Sequence, residues 1–344
     1  MKQLVEIKNS KPNTLRIQYD LGNLCNYKCW YCFPGSNEGT SPWPDVNVVK
    51  INLARIIEFY FENSINEIHL IFLGGEPTLW KDLGKLIEYI SNKTVFDRKE
   101  KKLRISVWTN GSRPISWWQK YGHYFDHVGI SVHHERANLD HIARVAEVLL
   151  DKDVSVLATV LMDHTAWDKC KSMVDTLISS KPKFMVLARP VYINNVATYT
   201  DEQLKYLKNP RKRNPSLRSF LKHLDKFLGL TTYTAVYDDK SKEKTKSDHY
   251  FIVNNLNNFL GWECTLGINF LSINRGGTLS GTCATKLYGL GDYYNINHPK
   301  FLERFDPTLK PVICPRTVCS CASEVVLSKR KTSETTKVIP IYEH

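Results

Sequence analysis

Short apolar, β-branched segments alternate with helix-patterned segments through the first two thirds of this chain, and that alternation restricts its fold more than any other feature. Strand candidates are Leu15–Asp20, Glu67–Leu73, Leu103–Thr109, His127–Val132, Val154–Leu161 and Phe184–Pro190. Between them lie segments of helical period near Val48–Asn63, Lys81–Ser91, Ile115–Tyr121, Leu139–Leu150 and Trp167–Ser179. Strands separated by helices do not pair as hairpins; they form a parallel sheet with right-handed crossovers. The expected class is α/β. A length of 344 residues suits one large domain and a small one, and 42% hydrophobic content supplies a core.

Three cysteines interrupt this pattern just after the first strand, in Leu24-Cys-Asn-Tyr-Lys-Cys-Trp-Tyr-Cys-Phe-Pro34. The spacing of Cys25, Cys29 and Cys32 puts three soft thiolates on one short loop. Two occupants suit them: a zinc ion completed by a further Cys or His, or a [4Fe–4S] cube with three irons ligated and the fourth open. Downstream, the apolar run Leu70-Ile-Phe-Leu-Gly-Gly-Glu-Pro77 reads as a buried strand ending in two glycines and an acid. Gly74 and Gly75 let backbone come close to a ligand, and Glu76 offers charge-assisted hydrogen bonds to an ammonium group.

The CxxxCxxC run, followed at this distance by Gly-Gly-Glu-Pro, resembles the signature of the radical S-adenosylmethionine (radical SAM) superfamily. The resemblance implies a partial (β/α)6 TIM-like barrel with the chemistry at the strand C-terminal ends. It implies that Cys25, Cys29 and Cys32 hold a [4Fe–4S] cluster whose open iron takes the amino and carboxylate groups of SAM. It also implies a SAM-binding set: Tyr31 beside the adenine, Gly74, Gly75, Glu76 and Pro77 at the amino end, Thr109 and Asn110 at the methionyl end, Ser131 at the ribose, and Arg189 for a carboxylate. Ser, Thr and Asn at strand ends also serve as turn or cap residues, and an arginine there equally forms a surface ion pair. His133 and His134 stand where many relatives carry Ser-Leu-Asp; as candidates for catalysis they offer a general acid or base, and as packing residues they need no such role.

Five more cysteines, Cys264, Cys283, Cys314, Cys319 and Cys321, fall in a C-terminal region. There Ile268–Asn274 and Thr278–Gly281 flank an Arg-Gly-Gly turn and read as a hairpin. The region resembles the SPASM/twitch extension, which implies one auxiliary [4Fe–4S] cluster with one of the last three cysteines spare; structural zinc is the alternative. The expected division is a core barrel over 1–228, an auxiliary domain over 229–327 and a polar basic tail over 328–344. Leu204–Leu228 reads as a last helical stretch, Tyr237–Ser247 as an exposed loop or hairpin tip, and Cys170 as a buried small hydrophobe on a helix.

The bulk composition narrows the partners. No apolar run is long enough to cross a bilayer and no secretory segment opens the chain, so a cytoplasmic protein with reduced, metal-binding thiols is expected. A net charge of +12 favours an anionic partner, either an acidic flavodoxin- or ferredoxin-type reductant or an anionic substrate. Nucleic acid is unsupported, since no aromatic-plus-basic signature accompanies the charge. The resemblance implies reductive SAM cleavage to a 5′-deoxyadenosyl radical that takes hydrogen from a small anionic substrate, the auxiliary cluster assisting oxidation or electron transfer. A peptide-modifying maturase is the alternative substrate class. The first strand near Leu15 leaves no room before it for a peptide-recognition domain, which weighs against that alternative. A non-catalytic iron–sulfur electron carrier is the alternative of another kind.

Overall fold

The computed structural model describes residues 2–32, 34–93, 100–180, 185–191, 199–208, 233–245, 251, 255–280, 295–303, 305, 309–315, 317–319 and 327–332. The chain opens with β1 (Leu4–Asn9) and then enters the predicted series: β2 (Thr14–Asp20), β3 (Glu67–Leu73), β4 (Lys102–Thr109), β5 (His127–Val132), β6 (Ser155–Met162) and β7 (Met185–Pro190). These six, β2 to β7, pair in sequence order and every pair is parallel. The crossovers carry α1 (Val46–Glu62), α2 (Leu83–Ser91), α3 (Ile115–Tyr121), α4 (Leu139–Leu150) and α5 (Trp167–Ser180). Asp45 caps α1 by accepting from the Asn47 amide, and Asn138 caps α4 by accepting from the His141 amide.

Strand β3 is buried at Ile68, His69, Leu70, Ile71 and Phe72, on both faces, as a parallel strand between layers must be. Ile68, Leu70 and Phe72 join one core with Val49, Leu53 and Ile57 of α1, Leu83, Leu86, Ile87 and Ile90 of α2, and Val145 and Leu149 of α4. Apolar positions recur at three- and four-residue spacing along α2, so a single stripe of that helix meets the sheet. Cys170 on α5 is fully buried, as its sequence context suggests, with its thiol donating to the Leu161 carbonyl.

The expected C-terminal hairpin forms as β11 (Phe270–Ile273) and β12 (Leu279–Ser280). Its first strand lies parallel to β2, Ile273 opposite Tyr19, so the barrel sheet has seven parallel strands and β12 as its antiparallel edge. A second sheet gathers β1, β8 (Tyr233–Tyr237), β9 (Lys242–Thr245), β10 (Glu263–Cys264), β13 (Val312–Ile313) and β14 (Lys329–Arg330), all antiparallel. It packs its own core of Leu4, Ile7, Tyr233, Tyr237, Phe251, Phe259 and Trp262. The polar segment at Tyr237–Ser247 is a hairpin turn between β8 and β9, over the part of it described. Gly229 lies outside the described residues, and strands from either side of it cross over: β1 joins the C-terminal sheet and β11 joins the barrel sheet. The expectation that the first strand begins near Leu15 is corrected by β1. A register shift between Leu4 and Glu6 breaks the alternation by which a strand is recognised. Of the helical stretch expected over Leu204–Leu228, α6 (Asp201–Lys208) covers the described part. Among the described residues no helix is long and apolar enough to cross a membrane.

Candidate active site

The three N-terminal cysteines follow β2 directly, and the end of β3 holds their loop by its backbone. The Leu21 amide donates to the Leu73 carbonyl at 2.9 Å, the Gly75 amide to Gly22 at 2.7 Å and the Glu76 amide to Leu24 at 2.8 Å. This ladder explains both glycines. Gly74 has φ +146°, and a Cβ there would stand 2.5 Å from the Gly22 carbonyl oxygen. A Cβ on Gly75 would stand 2.5 Å from the Leu24 carbonyl oxygen. The close approach read from the sequence is therefore made in this structure by the cysteine loop's own backbone. Asn23, 2% exposed, closes the loop: its side-chain amide donates to the Gly35 carbonyl and the Thr40 hydroxyl, each at 2.8 Å, and accepts from the Ser41 amide at 2.8 Å.

Within the loop Cys29 is buried and Cys25 and Cys32 are half-buried. The Cys32 amide donates to the Cys29 carbonyl at 3.1 Å, a turn that folds the last two cysteines together. The Tyr27 amide points at Cys25 Sγ at 3.3 Å. Burial raises the Cys25 thiol above its ordinary pKa, and the Glu76 and Cys32 charges add to the rise. Burial pushes Cys29 up to about 12, helped by Glu135 and Cys25. Three thiols close enough to oppose one another's ionisation are unfavourable as bare thiolates; a bound metal reverses that sign and deprotonates them. Among the described residues no three His, Cys, Asp or Glu side chains converge on a single metal ion. Three soft thiolates on one loop are the donor set of a cube ligated at three of its four irons.

Glu76 is fully buried, and its carboxylate draws the ends of β3 and β4 together. Oε1 accepts from the Thr78 amide at 3.0 Å, the Thr78 hydroxyl at 2.6 Å and the Thr109 hydroxyl at 2.7 Å; Oε2 accepts from the Asn110 amide at 2.5 Å. Pro77, also buried, opens the short turn that Glu76 caps. The Asn110 side chain donates to Asn26 Oδ1 at 2.8 Å and faces Cys25 Sγ at 3.9 Å. The structure thus brings Glu76, Thr109 and Asn110 to one cluster beside Cys25. Ser131 is half-buried on β5, and Arg189 is exposed on β7.

On the other flank, the Tyr31 ring stacks on His133, centroids 5.7 Å apart and planes 13° apart, and on His134 at 6.2 Å. His133 Nδ1 lies 3.0 Å from the Tyr31 hydroxyl and 3.3 Å from Cys29 Sγ. Burial, then the neighbouring His134, lowers His133 to about 4, which makes it neutral at pH 7. Sequence reasoning missed the residue that anchors this flank. Asp163, at the end of β6, has a fully buried carboxylate that takes the Trp30 indole N–H at 2.7 Å and the Thr165 amide and hydroxyl at 2.8 Å each. His134 and His164 stand 3.9 and 3.8 Å from it. Trp30 sits between Cys29 and Cys32, so this bond ties the cysteine loop to β6. Asp-x-Thr after an apolar strand is visible in the sequence, but it reads as an ordinary cap.

Residues 19–177 match the radical SAM superfamily. The chain carries a radical SAM domain. Curated relatives agree: an S-adenosylmethionine-dependent nucleotide dehydratase of Fibrobacter sp. is 28% identical over 35% of this chain and 34% of its own length. A GTP 3′,8-cyclase of Vibrio cholerae is 24% identical over 31% of this chain and 30% of its own. The chain spans about a third of the length of these relatives. Among solved structures, a histidine-tagged anSMEcpe with bound AdoMet superposes with a TM-score of 0.51 at 17% identity, over 86% of this chain and 81% of that one. That likeness is one of fold.

The radical SAM domain contains the three N-terminal cysteines, the Glu76 cluster and both histidines. Of the C-terminal cysteines, Cys264, Cys314 and Cys319 are buried in and beside the second sheet. Cys264 lies on β10 opposite Val312 of β13, and the Cys314 amide donates to the Trp262 carbonyl at 2.8 Å. The Cys319 amide donates to the Asn257 carbonyl at 2.9 Å. Cys283 and Cys321 lie outside the described residues.

Proposed function

We propose that this chain is a radical SAM enzyme acting on a small anionic substrate. The observation that carries the reading is the set of three free cysteines, Cys25, Cys29 and Cys32, on a loop laddered by its backbone to the Gly-Gly-Glu-Pro strand end. These cysteines would hold the [4Fe–4S] cluster, and the end of β3 would receive SAM. When bound, cluster and SAM together supply one-electron cleavage of a carbon–sulfur bond and hydrogen abstraction from substrate. The chain's own residues do the rest. Asn23, Glu76 and Asp163 fix the loop, and Tyr31 and His133 give the site a flat aromatic wall. Burial keeps His133 uncharged at neutral pH, so that wall adds no charge to the site.

The net charge of +12 supports an anionic substrate, as do curated relatives whose names denote action on nucleotides. A peptide substrate is the second reading, favoured by the fold shared with anSMEcpe solved with AdoMet and the Kp18Cys peptide, at a TM-score of 0.51 and 18% identity. The C-terminal cysteines Cys264, Cys283, Cys314, Cys319 and Cys321 would hold one auxiliary [4Fe–4S] cluster, and a flavodoxin- or ferredoxin-type donor would supply electrons. The test is anaerobic incubation of the iron-reconstituted chain with SAM and dithionite. Release of 5′-deoxyadenosine, lost in the Cys25/Cys29/Cys32→Ala variant, is expected. A fully loaded chain that binds iron and sulfide yet never cleaves SAM would be an electron carrier, and the proposal would fail. Stimulation of cleavage by nucleoside triphosphates rather than by peptides would decide the substrate class.

A further inference from the structure

The C-terminal hairpin reaches into the radical SAM site through one side chain. Strand β11 runs parallel to β2, so its turn leaves the sheet at the same end as the cysteine loop. Arg275 stands in that turn, between Asn274 and Gly277, whose backbones bond to each other at 2.8 Å. Each guanidinium nitrogen takes a different partner. Nε donates to Asp20 Oδ2 at 2.9 Å, at the very end of β2. Nη1 donates to the Gly35 carbonyl at 2.6 Å, and Nη2 to the Ser36 hydroxyl at 2.8 Å. Gly35 and Ser36 are the segment that returns from Cys32, and Gly35 is also held by Asn23. The neighbouring strut points the same way, with the Tyr19 hydroxyl donating to Asn297 Oδ1 at 3.3 Å.

We infer that Arg275 is a positioning residue for the cysteine loop, and that the C-terminal region is thereby a working part of the radical-generating site. The inference rests on the reading of that loop as the SAM-cluster site. Its geometry is not that of an ordinary surface ion pair. The Arg275 and Asp20 side chains are only 31% and 22% exposed, and the Gly22 backbone amide also faces the Asp20 carboxylate. A planar fork meeting a carboxylate, a carbonyl and a hydroxyl fixes both distance and orientation between the end of β2 and the return of the loop. A lysine, with a single point charge, can keep the Asp20 pair but not all three bonds.

The experiment compares full-length wild type, Arg275→Ala, Arg275→Lys and, as control, Arg55→Ala on the exposed face of α1. Hydrogen exchange on the metal-free chain is read over residues 34–41. Arg275→Ala should speed exchange there roughly ten-fold, the loss of about one net hydrogen bond, with peptides of α2 and α4 unchanged. Arg275→Lys should fall between, and Arg55→Ala should match wild type. On the reconstituted chain, Arg275→Ala should raise the KM for SAM more than it lowers kcat, and should weaken the change that SAM causes in the electron paramagnetic resonance spectrum of the reduced cluster. Unchanged exchange over 34–41 in Arg275→Ala overturns the inference. If that variant does not fold, identical exchange in Arg275→Lys and wild type overturns it instead. A wild-type chain that never cleaves SAM refutes the functional reading, while the metal-free exchange still decides the role of Arg275.

Discussion

Glu76 provides a sharp test of how this site is held. The resemblance to radical SAM enzymes implies a carboxylate that grips the SAM ammonium group, whereas the structure shows one engaged by four donors of the protein itself. Glu76→Gln keeps the shape and removes the charge. With the amide oxygen in the place of Oε1, the Thr78 and Thr109 bonds survive, but as neutral rather than charge-assisted ones. The amide NH2 then stands where Oε2 was, facing the Asn110 amide at 2.5 Å, donor against donor. The threonine hydroxyls can rotate to other acceptors, but a backbone N–H cannot. An unpaired buried donor costs about 1–3 kcal/mol, and the lost charge assistance adds about 1 kcal/mol. The expected loss is therefore about 2–4 kcal/mol in the metal-free chain, with no SAM present. It is measured as a lower denaturant midpoint at unchanged slope. Glu76→Asp keeps the charge and should lose less. A Glu76→Gln chain as stable as wild type within about 0.5 kcal/mol, yet with a raised KM for SAM, would refute the clamp and leave the direct SAM contact as the explanation.

Three further outcomes follow from the same geometry. Trp30→Phe keeps an aromatic ring but removes the donor to Asp163 Oδ2, leaving Thr165 as the carboxylate's hydrogen-bond donor; it should cost about 1–2 kcal/mol and loosen residues 27–32 in hydrogen exchange, and no change in exchange there would count against the anchor. His127 is fully buried and lowered by burial to about 4. The unfolded chain therefore binds the extra proton first, and stability should fall as pH drops from 6.5 to about 4, with about 3 kcal/mol of the fall due to His127. His127→Asn should flatten that slope in a urea-midpoint series, and an unaltered slope would refute it. Gly75→Ala places a methyl 2.5 Å from the Leu24 carbonyl oxygen. That clash should shift the cysteine loop, cost about 1–3 kcal/mol and lower iron loading, whereas full loading at wild-type stability would show that the loop can yield.

The barrel was legible in the sequence because its signals are local. Each strand from β2 to β7 is an apolar run or an apolar–polar alternation, and each crossover helix carries its own period, so the expected ends fall within about two residues of the observed ones. Of the strands that were not foreseen, β8 (Tyr233–Tyr237) carries a period-two alternation that could have marked it; the others lack such a signal. Strands β10, β13 and β14 are two residues each, too short for any period, and a bulge interrupts β1. The C-terminal hairpin was readable from its Arg-Gly-Gly turn, but its pairing with β2, some 250 residues earlier in the chain, is a tertiary choice that no local pattern encodes. The site divides in the same way. Cys25, Cys29 and Cys32 announce themselves by spacing. Asn23, Asp163 and Arg275 act through partners far away in sequence and look like any loop asparagine, capping aspartate or turn arginine.

That division bears on how the cysteine loop can be precise at all. A loop from Leu21 to Ser41 has no regular ladder of its own, and left to itself would sample many arrangements of its thiols. Its order is imposed from outside: the backbone of β3 from below, Asp163 through Trp30 on one flank, Arg275 through Gly35 and Ser36 on the other. The restraints come from β3, from the end of β6 and from the C-terminal hairpin, so loop order is a property of the assembled sheet rather than of residues 21–41. A fragment ending at residue 228 retains the first two restraints and lacks the third, along with the seventh parallel strand that covers the outer edge of β2. An uncovered β2 edge exposes unpaired backbone groups next to the cysteines, which favours strand addition by another chain. The fragment should therefore self-associate and load less iron than the full chain at equal concentration, seen as a larger species in size exclusion. A monomeric, fully loaded fragment would show that the barrel orders its loop without the C-terminal strand.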